Sequence, residues 1–105
     1  MTARFVALYE TPTNPERFEQ HYREVHIPLA RRLPGLRRYT VGRDLAATGG
    51  DCPYYMVAEL DWDTMDELRA AFASPEGLAC GADAAHLREL APLHTMTFTV
   101  HDSVL

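Results

Sequence analysis

Apolar residues recur along this chain with two different periods, and the order of those periods leaves few folds open. Residues 4–10 alternate as a strand does, with Phe5, Ala7 and Tyr9 on one side and Val6 and Leu8 on the other. Residues 36–44 and 54–62 read the same way. In the second of these, Tyr54, Met56, Ala58, Leu60 and Trp62 are predicted to share a face, opposite Tyr55, Val57, Glu59 and Asp61. A last strand over 93–101 sets His94, Met96, Phe98 and Val100 against Thr95, Thr97, Thr99 and His101.

Helical spacing fills the gaps between strands. Asn14 can accept bonds from first-turn amides, and Pro15 needs no such bond. Phe18, Tyr22, Val25 and Leu29 then recur at four, three and four, which is one helix face. Pro28 lacks the N–H that would continue the ladder, so a kink is predicted near His26 and Ile27. Leu33-Pro34-Gly35 ends the helix. After a loop over 45–53, Thr64-x-x-Glu67 has the form of a capping box. Met65, Leu68, Ala71 and Phe72 form the stripe of that second helix. Ser74-Pro75-Glu76 closes it and caps a further piece running to about Leu90, with an interruption expected near Gly81.

The resulting order, βαββαβ, predicts an α+β fold of the ferredoxin-like kind in a single domain over residues 1–105. Its four-stranded antiparallel sheet carries helices on one face. The uncovered face is expected to hold Phe5, Tyr9, Tyr55 and Val57. So much apolar surface is not left in water on a monomer, which predicts a homodimer with two sheets face to face.

Composition narrows the chemistry. All ten basic residues are arginine, against fifteen acidic ones, for a net charge of −5. Without lysine there is no Schiff base and no phosphate-loop lysine. An acidic balance argues against nucleic acid. The two serines, Ser74 and Ser103, read as a cap and a tail residue, not nucleophiles. Cys52 and Cys80 lack metal-ligand spacing and are expected to be free thiols in a cytoplasmic protein. The apolar start FVALY is too short for a signal peptide, and no run approaches the ~20 residues of a membrane span.

The run Asn14-Pro15-Glu16-x-Phe18-x-x-x-Tyr22-x-x-x-His26-x-Pro28-Leu29-Ala30, followed by Leu33-Pro34-Gly35-Leu36, resembles the EthD family. Pro53-Tyr54-Tyr55-x-Val57-Ala58-Glu59-Leu60, Trp62-x-Thr64, and Ser74-Pro75-Glu76-Gly77 with Asp83 extend the resemblance over about residues 4–100. It implies a dimeric α+β barrel. Superfamily members include cofactor-free monooxygenases, polyketide cyclases, lactone isomerases and haem-handling enzymes. Cyclases of that superfamily use tyrosine and histidine around the second helix, and residues 69–78 have neither. No G-x-G-x-x-G follows a strand, so a nicotinamide cofactor has no support, and no cofactor is expected.

His26 is the leading candidate for acid–base chemistry. At ~100° per residue it lies about 80° from Phe18, on the rim of the core-facing stripe. A histidine there either faces a cleft and moves protons near neutral pH, or caps the broken helix by bonding a free carbonyl. Tyr22, one turn earlier, either directs its hydroxyl into that cleft or is a core aromatic with a wet tip. Tyr9, Phe18, Tyr55 and Trp62 complete the expected substrate pocket. Trp62 is also placed to pack on the second helix. His21 falls on the opposite rim from His26, and five residues is the wrong spacing for chelation by one α-helical face. No three-ligand metal set follows from the histidine spacing. These readings give a cofactor-independent enzyme or enzyme accessory for a hydrophobic, oxygenated small molecule. The alternative is a dimeric ligand-binding module without catalysis.

Overall fold

In a computed structural model of the chain, which describes residues 1–101, four strands and a set of helices appear in the expected order. Ser103 lies outside the described residues. The strands are β1 (Thr2–Glu10), β2 (Arg38–Gly42), β3 (Tyr54–Trp62) and β4 (Leu93–Val100). They form one antiparallel sheet in the order β2-β3-β1-β4. This is the ferredoxin-like arrangement, in which each half supplies one central and one edge strand.

The helical layer begins with α1 (Pro15–His21), where the Asn14 side chain accepts from the Arg17 amide. A π-helical turn over Tyr22–His26 follows, and then the short α2 (Ile27–Ala30). The Ile27 amide bonds the Tyr22 carbonyl, five residues back. Pro28 thus stands where the chain returns from five-residue to four-residue bonding, and its missing donor explains the break. The wider turn changes which residues face the core. Val25 is exposed, and the buried line runs Phe18, Tyr22, His26, Ala30, four residues apart throughout.

Thr64 caps α3 (Met65–Ala73) by accepting from the Glu67 amide. Ser74 joins α3 to α4 (Pro75–Leu90): its hydroxyl donates to the Ala71 carbonyl and accepts from the Gly77 amide. α4 runs unbroken through Gly81, contrary to the interruption expected there. Glycine in an exposed helix costs only about 1 kcal/mol, and the rest of α4 outweighs it.

Two face assignments need correction. Phe5 and Tyr9 turn toward the helices, against Phe72 and Phe18, and are not on the open face. A bulge in β3 leaves Tyr55 opposite no residue of β1, since Tyr9 pairs with Met56 and Glu10 with Tyr54. Tyr54 therefore goes to the open face beside His94, while Tyr55 meets Phe18 on α1. The open face instead carries Val6, Leu8, Val57, Met96 and Phe98, of which Met96 and Phe98 are exposed. At one end of it Asp61, 6 % exposed, is held by Arg4 and Arg38 at 2.7–3.0 Å.

Candidate active site

Small side chains hollow out the middle of the sheet. Val41 pairs with Ala58, Ala58 with Ala7, and Ala7 with Thr95, so one row across all four strands carries nothing large on the helix side. Ala30, Gly81 and Ala84 approach from above, and the space between is a cavity of about 220 Å³. Small-molecule pockets usually start near ~300 Å³, so a compact ligand fits best.

The polar end of this cavity is built from three elements. His26, on the π-turn, is buried and sets Nδ1 2.9 Å from Asp83 Oδ2 on α4. A carboxylate only accepts, so Nδ1 carries the proton and Nε2 keeps its lone pair. Nε2 lies 4.0 Å from the Cys80 thiol, another cavity residue. Burial holds the imidazole below its ordinary pKa, against the Asp83 hydrogen bond and charge, which raise it. The ring is thus neutral at neutral pH. Burial also pushes the Cys80 thiol up to about 11, leaving it protonated.

Asp83 Oδ1 is taken by His21, whose Nε2 is 2.7 Å away. Five residues separate His21 from His26, and the π-turn, with its i to i+5 bonding, brings both to one carboxylate. His86 tilts against His21 with ring centroids 4.6 Å apart. Next to His26, the Tyr22 and Tyr39 hydroxyls are hydrogen-bonded at 2.5 Å. Burial raises both phenols, Tyr39 to about 12, so both stay protonated. One proton is spent within the pair, and the other remains available to a ligand oxygen.

Of the residues expected here, His26, Tyr22 and Tyr9 line the cavity. Phe18, Tyr55 and Trp62 do not. Phe18 packs between Tyr9 and Tyr22. The Tyr55 hydroxyl donates to Glu19, which also binds Arg43. Trp62 tilts against Phe72 and donates its indole N–H to the Pro34 carbonyl at 2.8 Å. His94 bonds Glu10 at the open face. Tyr39 was legible only as a strand residue. Asp83 had a signal of its own: it sits on the inward stripe of Cys80, Ala84 and Leu87, where a carboxylate requires partners. Among the described residues, no group of three or more His, Cys, Asp or Glu is placed to hold a metal ion.

Residues 10–90 match the EthD domain. The chain belongs to the EthD family. It is similar, at 33 % identity, to an uncharacterized 11.0 kDa protein of the thcB–thcC intergenic region of Rhodococcus erythropolis, covering 97 % of each chain. Among solved structures, an EthD family protein of Bacillus halodurans matches at TM-score 0.87 and 33 % identity, over 96 % of this chain and all of that one. SnoaB, a cofactor-independent oxygenase of Streptomyces nogalater, matches in a mutant form at 0.69 and 27 %, over 98 % and 96 %. A dimeric ferredoxin-like protein of Thermobifida fusca matches at 0.68 and 26 %, over 95 % and 92 %. Among the described residues no helix is long and apolar enough to cross a membrane.

Proposed function

We propose that this EthD protein is a cofactor-independent enzyme that removes a proton from a hydrophobic, oxygen-bearing small molecule. The observation that carries the reading is the Asp83–His26 pair. A neutral imidazole, its tautomer fixed from behind by a carboxylate, turns its Nε2 lone pair toward an apolar cavity, with only the weak thiol donor of Cys80 recorded against it at 4.0 Å. His26 Nε2 acts as the base, and the Tyr22–Tyr39 pair donates to the oxygen on which negative charge develops. A carbanion formed in this way is electron-rich enough to meet dioxygen without a cofactor, and the likeness to SnoaB supports that class of chemistry.

The working unit in this reading is a homodimer closed into a barrel by two open sheet faces. The exposed Met96 and Phe98 and the likeness to a dimeric protein support it. Two free cysteines fit a reducing, cytoplasmic setting.

The test uses a probe that any well-placed base can attack. Base removal of the ring C–H proton of 5-nitrobenzisoxazole breaks its N–O bond and releases a coloured phenolate. The wild-type protein is expected to exceed free imidazole, with a rate that rises with pH and levels off below the ordinary histidine value. His26→Gln is expected to lose ~10²–10⁴ of the rate. Equal rates for wild type and a folded His26→Gln variant would leave the non-catalytic binding module as the better description.

A further inference from the structure

The wall of the cavity formed by α4 changes character along its length. Cys80 sits beside His26. Gly81 and Ala84 follow and leave the wall open. Arg88 comes next, and it lines the same cavity together with Leu93 and Thr95 of β4. Eight residues of helix, about 12 Å of axis, separate Cys80 from Arg88. The cavity lining thus includes a base, His26, next to Cys80 and a guanidinium, Arg88, two turns further along α4.

Arg88 is the one arginine on this lining. Among the described residues it forms no ion pair, whereas Arg4, Arg38 and Arg43 are all committed to carboxylates. The carboxylate nearest along the cavity side of α4, Asp83, is already taken by two histidines. Arg88 is itself exposed, so its guanidinium stands at the solvent side of this cavity, where an incoming anion can reach it. A guanidinium fork matches a carboxylate with two parallel N–H···O bonds, which adds geometric selectivity to the attraction of charge.

We propose that Arg88 seats the carboxylate of a hydrophobic carboxylic acid whose apolar body lies along Gly81 and Ala84 toward His26. This rests on the reading of the cavity as a ligand site, but not on turnover there. The test compares 1-naphthoate with its neutral amide, 1-naphthamide, by calorimetric titration at pH 8. Wild type is expected to bind the acid at least ~10-fold more tightly than the amide. In Arg88→Gln that preference should vanish, and Arg88→Lys, which keeps charge but not the fork, should retain part of it. In His26→Gln the preference should persist. Equal binding of acid and amide by wild type, binding of neither, or an unchanged preference in Arg88→Gln would each overturn the proposal. These outcomes are independent of benzisoxazole opening, so the base and the anion seat fail or stand separately.

Discussion

Asp83→Ala removes the carboxylate that two imidazoles share, and the cost divides unequally between them. The His26 side chain is 9 % exposed, so its Nδ1–H is left without an acceptor away from water. Such a group costs ~1–3 kcal/mol. The His21 side chain is 21 % exposed and can turn its Nε2 to water, which limits its share to ~0–1 kcal/mol. The expected loss is about 2 kcal/mol at pH 8, a fall of ~10 °C in melting temperature for a domain this size. The pH dependence has a definite sign. The ring is faced by Asp83, His21, Cys80 and Tyr22, and its folded pKa lies below the unfolded one, chiefly through burial. The unfolded chain therefore binds the extra proton first. Wild-type stability is intact above ~6.5 and declines as pH falls toward the folded value. Without Asp83 the two influences that raise the folded value are gone, the window widens, and the deficit grows on acidification. Urea unfolding of both proteins at pH 8 and pH 5.5 measures this. A loss under ~0.5 kcal/mol at pH 8, or a deficit that shrinks at pH 5.5, would refute the buried Asp83–His26 bond.

Three further outcomes are expected. Gly77→Ala places a Cβ 2.2 Å from the Ala71 carbonyl oxygen and 2.5 Å from Phe72 Cα, both backbone atoms, so the α3–α4 corner must open. A loss of ~3 kcal/mol in thermal or urea unfolding follows, and less than ~1 kcal/mol contradicts the close approach. Ala58→Leu fills the middle of the cavity, so naphthoate binding is lost in calorimetry while the melting temperature holds or rises. Phe98→Glu puts a charge on the exposed apolar part of the open sheet face, and sedimentation equilibrium is expected to show monomer where wild type shows dimer.

The sequence carried the element order and most of the helix ends, because caps are local. Asn14, Thr64 and Ser74 each bond an amide three residues on, and nothing distant changes that. Strand faces are different. Alternation separates Phe5, Ala7 and Tyr9 from Val6 and Leu8 but does not say which set meets the helices. Partner strands decide that, and so does the bulge at Tyr55, which is visible only when Glu10 is counted against Tyr54. Alternation therefore puts Phe5 and Tyr9 on the open face, where the structure has Met96 and Phe98 exposed.

The site itself turned on one local irregularity. A regular α-helix advances ~100° per residue, which puts Val25 with the core and leaves His21 and His26 on opposite rims. Pro28 breaks that regularity, but its presence alone does not say whether the chain bends, frays or widens. The widened turn is selected by what it buries. It exposes Val25, a modest hydrophobic loss, and brings two imidazoles within 2.9 Å of a single carboxylate. Asp83 lies 57 residues beyond His26. A contact at that separation leaves no periodic trace in either segment. Asp83 belongs to the EthD resemblance, but what marks it as a partner for His26 is a carboxylate on an apolar stripe, which calls for buried partners from elsewhere in the fold.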